Sequence, residues 1–171
     1  MKNWMIYGAY GYTGTLLAEE AVHRGHRPVL AGRSAKKLIP LAERLKLEYI
    51  VLDLEDTDRL FKVVAGFDLI FHAAGPFVHT SLPMVQACLT GRTHYLDITG
   101  EVPVFEQNLA FDRQARQQGI AIISGAGFDV VPTNCLATYV AGQIDKPTQL
   151  KIAVAALGGI SGGTTKTMLE H

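Results

Sequence analysis

Residues 4–22, WMIYGAYGYTGTLLAEEAV, join a short apolar run to three glycines and then to an amphipathic stretch. The apolar run is typical of a buried strand, and the apolar residues after the glycines recur at helical spacing. Gly8, Gly11 and Gly14 follow the pattern G-x-x-G-x-x-G. Glycines permit a strained turn and let a pyrophosphate approach the backbone at a helix N-terminus. Strand, glycine turn and helix in this order predict a dinucleotide-binding turn; the alternative is glycines that serve only the turn and its packing.

The rest of the chain alternates apolar runs with amphipathic stretches. Strands are predicted in RPVLAG (27–32), LEYIVLD (47–53), DLIFHAAG (68–75), HYLDI (94–98), IAIISG (120–125) and QLKIAVAAL (149–157). Helices are predicted between them in SAKKLIPLAERL (34–45), DTDRLFKVVAG (56–66), LPMVQACLTG (82–91), VPVFEQNLAFDRQARQQG (102–119) and VPTNCLATYVAGQI (131–144). Ser34 is expected to cap the first of these helices, Asp56 or Thr57 the second, and Pro83 to lie near the first turn of the third. This alternation predicts an α/β fold with a doubly wound parallel sheet.

Charge and cysteine content narrow the classes of function. Sixteen basic residues balance sixteen acidic ones, so no global field attracts nucleic acid or an anionic membrane. The segment 69–91 has no charged residue, but Pro76 and Pro83 interrupt it, so we predict strand, loop and helix rather than a membrane span. Cys88 and Cys135 stand far apart without metal-ligand spacing, which is typical of a cytoplasmic protein with no metal site.

The end of the second predicted strand, LAGRS, indicates which dinucleotide is bound. NAD-selective sites usually place an acidic residue here, where it binds the ribose 2′-OH. This chain has Arg33 and then Ser34. Arginine can bind a 2′-phosphate through two parallel hydrogen bonds, and the serine can add a third; the alternative for Arg33 is a solvated surface charge. Lys36 and Lys37 are interpreted as solvated charges. We therefore predict NADP(H).

The ends of the other strands should line the same crevice, because ligands bind at the carboxyl edge of such sheets. Asp53 can accept a hydrogen bond from the adenine amino group, or else cap the following turn. Tyr10 and Tyr12 can cover the phosphates, or else pack as surface aromatics. In HAAGPF, His72 is interpreted as a hydrogen-bonded core histidine, and the small residues after it permit close approach of a ribose. The predicted cofactor-binding set is Gly8, Tyr10, Gly11, Tyr12, Thr13, Gly14, Arg33, Ser34, Asp53, Ala74, Gly75 and Pro76.

Five motifs, GAYGYTG, LAGRS, AAGPF, ACLTGRTHYLDITGE and GFDVVPTN, occur in this order along nearly the whole chain. In them the sequence resembles the saccharopine dehydrogenase-like NADP-binding family, which includes the trans-acting enoyl reductases. The resemblance implies a Rossmann-type NADP-binding domain, residues 1–147, and the start of a second α/β substrate domain, residues 148–171. It also implies NADP(H)-dependent hydride transfer to or from a small-molecule substrate, and a homodimer.

Catalytic groups are harder to assign. The Tyr-x-x-x-Lys pair of short-chain dehydrogenases is absent, since none of the six tyrosines has lysine four residues later. Asp97, Glu101 and Asp129 follow strand-like runs and are weak catalytic candidates; the alternative is that their carboxylates accept N–H bonds within glycine-rich loops. The sequence therefore predicts an NADP(H)-dependent oxidoreductase, with a non-enzymatic NADP(H)-binding or sensing module as the alternative.

Overall fold

The computed structural model describes residues 3–153, which form a six-stranded sheet flanked by helices. All neighbouring strands are parallel, in the order β3-β2-β1-β4-β5-β6. The strands are β1 (Trp4–Tyr7), β2 (Val29–Gly32), β3 (Tyr49–Val51), β4 (Leu69–His72), β5 (His94–Asp97) and β6 (Ile122–Ile123). The helices are α1 (Tyr12–His23), α2 (Ala35–Leu45), α3 (Thr57–Val64), α4 (Phe77–Gly91), α5 (Val102–Leu109), α6 (Asp112–Gln118) and α7 (Val131–Ala141). The predicted doubly wound parallel sheet is confirmed.

The core lies on both faces of the sheet, because successive side chains of a strand point to opposite sides. In β1, Ile6 packs in one buried cluster with residues of α1 and α2, such as Ala18 and Leu38. Met5 packs in the other cluster with residues of α3 and α4, such as Leu60. Helices therefore cover both faces, which is why the strands read as nearly continuous apolar runs.

Three sequence predictions about helices were wrong. Helix α4 begins at Phe77, so Pro83 lies in its interior and not near its first turn. The predicted long helix is divided into α5 and α6 at Ala110 and Phe111, because the Phe111 side chain turns onto the core. Ser34 occupies the N-cap position of α2, but its side chain makes no capping bond.

Asp56 does cap α3, accepting a hydrogen bond of 3.3 Å from the Arg59 N–H, as the sequence predicts. The last predicted strand, 149–157, is not formed over residues 149–153, and its remainder lies outside the described residues. Most of segment 148–171, the expected start of a second domain, also lies outside them.

Helix α7 is the outlying element of the fold. None of its residues is buried, and Leu136 and Tyr139 are 61% and 68% exposed. Phe128, in the loop before it, is 81% exposed. Among residues 3–153, no helix has the length and apolar character needed to cross a bilayer.

Candidate cofactor-binding site

The glycine turn joins β1 to α1 at the carboxyl edge of the sheet, between β2 and β4. Gly8 has φ +82°, and a Cβ on it would lie 2.8 Å from backbone atoms of Ala73 and Ala74. The Gly8 N–H donates to the Ala31 carbonyl at 2.9 Å, and the Gly11 N–H donates to the Gly8 carbonyl at 3.0 Å. The turn is thus bonded to β2 on one side and packed against the β4 loop on the other.

Gly14 fits the third glycine position for a steric reason. A Cβ there would collide with the Gly8 carbonyl oxygen and lie 2.9 Å from Ala9 Cα. Helix α1 can therefore approach the turn closely only without a side chain at this position.

The N-cap residue of α1 has no side chain that could accept hydrogen bonds from the first N–H groups of the helix. Its N-cap residue is Gly11, and its first turn contains no acidic side chain. The first N–H groups of a helix have no intrahelical acceptor, and the helix dipole favours an anion there. Tyr12 and Thr13, on the first turn, are exposed. The residues present therefore fit a pyrophosphate, as the sequence predicts.

The ends of β1, β2 and β3 form the side of the crevice predicted for the adenosine. The Tyr10 ring covers Gly32, where an added Cβ would lie 2.6 Å from Tyr10 Cε1. The Lys37 ammonium lies 5.9 Å from the centre of the same ring. Arg33 follows Gly32 directly and is exposed, and Ser34 is half-buried. The end of β2 thus carries the cationic side chains of Arg33 and of Lys37, which lies beside the Tyr10 ring.

Asp53 lies near the same edge, after β3. Its carboxylate accepts a hydrogen bond of 3.2 Å from the Glu55 N–H, so it caps the turn, which is one of the two predicted roles. Burial raises the pKa of Tyr7, the negative charge of Asp53 raises it further, and the positive charge of Arg33 opposes both. Arg33 and Asp53 therefore both lie close enough to Tyr7 to act on it electrostatically.

The other side of the crevice is the loop Ala73–Pro76 between β4 and α4. The Ala73 N–H donates to the Tyr7 carbonyl at 2.8 Å, which continues the pairing of β4 with β1. The Thr80 hydroxyl donates to the carbonyls of Ala74 at 2.6 Å and Pro76 at 3.1 Å. Thr80 was not predicted from the sequence, because the predicted helix began at residue 82 and left Thr80 outside it.

Glu101 fixes the helical end of this loop. It is only 4% exposed, and its carboxylate accepts hydrogen bonds from the N–H groups of Phe77 at 2.9 Å and Val78 at 2.8 Å. These are the first two residues of α4, whose own N-cap residue is Pro76. The geometry is that of a carboxylate accepting backbone N–H bonds, the alternative predicted for this residue.

Asp97, at the end of β5, joins two loops. Its carboxylate accepts hydrogen bonds from the N–H groups of Thr99 at 3.0 Å and Gly125 at 2.9 Å, and from the Ser124 hydroxyl at 3.2 Å. Burial raises the pKa of Asp97, while these hydrogen bonds lower it. Asp97 is fully buried, so its side chain faces the protein interior.

A buried polar network extends from Asp97 into the helices, and the sequence did not reveal it. The Asn108 amide donates to the Ser124 hydroxyl at 2.7 Å and lies 3.2 Å from the Ser81 hydroxyl. The Ser81 hydroxyl lies 3.3 Å from the Tyr95 hydroxyl. The network links α4, α5, β5 and the loop after β6.

His72 is the histidine of the core that the sequence predicts. Its Nδ1 lies 3.1 Å from the Tyr95 hydroxyl, and its ring packs edge-on against Tyr7, Phe77 and Tyr95. Burial lowers its pKa to about 3, so the ring is neutral at ordinary pH. Its Nε2 has no hydrogen-bond partner within the described part of the chain.

Asp129 differs from the other two carboxylate candidates. It lies in the loop before α7 and is exposed, and its carbonyl accepts a hydrogen bond of 2.7 Å from the Thr133 hydroxyl. Within residues 3–153, no cluster of histidine, cysteine or carboxylate side chains could hold a metal ion.

Sequence comparison identifies relatives of the chain. A family model of the saccharopine dehydrogenase NADP binding domain matches residues 4–123. A candidate trans-acting enoyl reductase of Mycobacterium tuberculosis (strain ATCC 25618 / H37Rv) is 33% identical over 181 residues, which cover 97% of this chain and 43% of the relative. The trans-acting enoyl reductase of Mycobacterium bovis (strain BCG / Pasteur 1173P2) is 32% identical over 138 residues, which cover 76% of this chain and 33% of the relative. The chain thus spans less than half the length of these relatives.

Solved structures share the fold. The apo saccharopine dehydrogenase (L-Glu forming) of Saccharomyces cerevisiae matches with a TM-score of 0.70 and 18% identity, over 83% of this chain and 31% of that one. The triphenylmethane reductase of Citrobacter sp., complexed with NADP(H), matches with a TM-score of 0.55 and 19% identity, over 71% of this chain and 48% of that one. At these identities the similarity shows the fold alone.

The family match includes all six strands of the sheet and the glycine turn. NADP(H) is the cofactor of this family, so the prediction of NADP(H) is confirmed. The family resemblance is confirmed as well: the chain belongs to the family of saccharopine dehydrogenase NADP binding domains.

Proposed function

We propose that the chain is the NADP(H)-binding part of an oxidoreductase of the trans-acting enoyl reductase type. The observation that carries the proposal is the glycine turn, which leaves the N-terminus of α1 without an acid or a side-chain cap beside an exposed Arg33. The names of the mycobacterial relatives supply the reaction class, reduction of an enoyl group. When bound, NADPH supplies the hydride for such a reduction.

Each part of the crevice has a proposed role toward the cofactor. The turn Gly8, Gly11 and Gly14, with Tyr12 and Thr13 on the first turn of α1, binds the pyrophosphate through backbone N–H groups. Arg33 and Ser34 bind the 2′-phosphate, with Tyr10 and Asp53 beside the adenosine. The remaining contacts are to the nicotinamide ribose, and these are proposed for Ala74, Gly75 and Pro76.

The three carboxylate candidates differ in whether they could contact a substrate. The hydrogen bonds of Asp97 and Glu101 to backbone N–H groups support a scaffolding role for both. Asp129 is exposed, so it is the one of the three whose carboxylate is open to a substrate. A substrate domain that follows residue 147 would then complete the site.

The proposed two-domain organisation, with residues 1–147 as the cofactor domain and 148–171 as the start of the substrate domain, has structural support. Helix α7 has no buried residue and exposes Leu136 and Tyr139, which a further domain would cover. The relatives are also more than twice as long as the alignment. A small-molecule substrate follows from the proposed reaction. Three further statements stay predictions: a homodimer, the absence of nucleic acid partners and a cytoplasmic location. The described cysteines, Cys88 and Cys135, are both free thiols, as in a reducing compartment.

The test is the selectivity of the purified protein between NADPH and NADH, measured by calorimetry. Arg33→Ala should weaken NADPH binding by about 1–3 kcal/mol, the range for hydrogen bonds to charged groups, and leave NADH binding nearly unchanged. Arg113→Ala, which removes an exposed arginine from α6, is the matched control and should change neither. Equal losses for the two cofactors would refute the 2′-phosphate role of Arg33.

The alternative, a binding or sensing module, makes a different prediction. It also binds NADPH, but it does not oxidise it in the presence of an enoyl thioester. The names of the relatives favour the oxidoreductase. Turnover of NADPH with such an acceptor, measured on a protein that includes the proposed substrate domain and followed at the absorbance of the reduced nicotinamide, separates the two.

A further inference from the structure

Two helix N-termini flank the crevice, and they differ in what occupies them. Helix α1 begins at the glycine turn with no side chain over its first N–H groups. Helix α4 begins after Pro76, and the carboxylate of Glu101, 24 residues further along the chain, accepts hydrogen bonds from its first two N–H groups. A helix N-terminus attracts anions. At α4 the Glu101 carboxylate occupies this position, whereas the first turn of α1 has no acidic side chain.

Glu101 is itself held in place from β5. Its N–H donates to the Thr99 hydroxyl at 3.1 Å, and the Thr99 N–H donates to the Asp97 carboxylate at 3.0 Å. Asp97 also accepts from the Gly125 N–H at 2.9 Å, so the loops after β5 and β6 are joined at one buried carboxylate. The Glu101 backbone is therefore held by the Thr99 hydroxyl, and its carboxylate by the N–H groups of Phe77 and Val78.

The loop that Glu101 fixes is the wall of the glycine turn. Ala73 and Ala74 pack so closely on Gly8 that no Cβ fits between them. Any shift of the start of α4 moves Pro76 and Gly75, and with them the surface next to the turn. Ala74 is tied to the same helix through the Thr80 hydroxyl.

We propose that Glu101 is a positioning residue for the cofactor: it holds the loop Ala73–Pro76 against the nicotinamide half. Because it also occupies the N-terminus of α4, α1 is the one of these two helices that is open to the pyrophosphate. This inference rests on the proposed function. It goes beyond loop scaffolding, because it assigns the effect of Glu101 to one half of the dinucleotide. The adenosine half lies at the ends of β2 and β3, on the opposite side of β1 from β4 and β5, after which Glu101 lies.

The test compares NADPH with 2′,5′-ADP, which has the adenosine and the 2′-phosphate but lacks the nicotinamide. Glu101→Gln preserves the shape of the side chain and removes its charge, so charge-assisted bonds to Phe77 and Val78 are lost. NADPH affinity should fall about tenfold, and 2′,5′-ADP affinity should stay within about twofold of the wild type. Glu106→Gln, on the exposed side of α5, is the matched control and should change neither affinity.

A general loss of structure would lower both affinities together, so an equal fall would overturn the inference, as would an unchanged affinity for NADPH. If Glu101→Gln does not fold, Thr99→Val removes the acceptor of the Glu101 N–H and keeps the carboxylate. It should show the same selective loss in a weaker form. A wild-type protein that binds neither compound would instead refute the proposed function, so the two failures are distinguishable.

Discussion

Gly14→Ala tests the glycine turn most directly. The added methyl group would collide with the Gly8 carbonyl oxygen and lie 2.9 Å from Ala9 Cα, and these backbone atoms cannot rotate away as a side chain could. Alanine in place of glycine in a helix is worth about 1 kcal/mol. Overpacking by a methyl group typically destabilises by about 1–3 kcal/mol. Because the methyl group meets only backbone atoms here, the upper part of this range, about 2–3 kcal/mol, applies. Less the helical gain, we expect a net loss of about 1–2 kcal/mol in the free energy of unfolding, and a displaced turn.

Gly91→Ala is the control variant, because it introduces a similar steric clash away from the glycine turn. Gly91 ends α4, at the opposite edge of the sheet, and a Cβ there would lie 2.9 Å from Ala65 Cα, again a backbone atom. Gly100→Ala should be neutral, because a Cβ there meets nothing within 4 Å. Urea unfolding followed by circular dichroism measures stability, and titration with NADPH measures affinity.

Gly14→Ala and Gly91→Ala should lose similar stability, but only Gly14→Ala should also lose NADPH affinity, by about tenfold or more, since the backbone can no longer approach the pyrophosphate. NADPH affinity equal to that of the wild type in a folded Gly14→Ala protein would refute the phosphate role of the turn. Stability equal to that of Gly100→Ala would refute the steric argument.

Two further predictions concern His72 and Lys37. The pKa of His72 is lowered by burial from 6.5 to about 3, so as pH falls below 6.5 only the unfolded chain takes up the proton and the folded state loses about 1.4 kcal/mol per pH unit. Urea midpoints at pH 7 and pH 5 should therefore differ more in the wild type than in His72→Phe; the raised pKa of Asp97 acts in the opposite sense in both proteins. Lys37→Ala should weaken NADPH binding by less than about 1 kcal/mol, because this cation is exposed and lies over the Tyr10 ring rather than in an ion pair. Calorimetry with NADH provides the comparison, and a larger loss confined to NADPH would contradict the interpretation of Lys37 as a solvated charge.

The sequence predicted the parts of the fold that depend on local pattern. The apolar run, the glycines and the helical spacing of residues 4–22 specify β1, the turn and α1 without reference to the rest of the chain. Strands β2 to β6 followed from the same pattern, although β6 has only two residues, whereas the strand predicted from residue 149 is not formed over 149–153. Because the signal for parallel pairing is regular alternation of strands and helices, the sheet could be predicted without contacts.

The parts that failed depend on distant contacts. The sequence around Pro83 resembles a helix start, but α4 begins six residues earlier, where Glu101 supplies the acceptor for its first N–H groups. Helical periodicity runs through 102–119, so the turn at Phe111 left no local signal. The same limit applies to the site: the motifs identified the residues of the turn, but the packing of Gly8 against Ala73 is a contact between segments 65 residues apart.

The two edges of the sheet have a consequence for how this chain behaves at high concentration. An open strand edge can recruit strands of other molecules into aggregates, and proteins limit this by keeping edge strands short. Here β3 has three residues and β6 has two, so neither offers a long template. In a protein without the proposed substrate domain, self-association through the described residues is therefore expected at the apolar surface of α7, as a reversible and detergent-sensitive assembly that does not bind amyloid dyes.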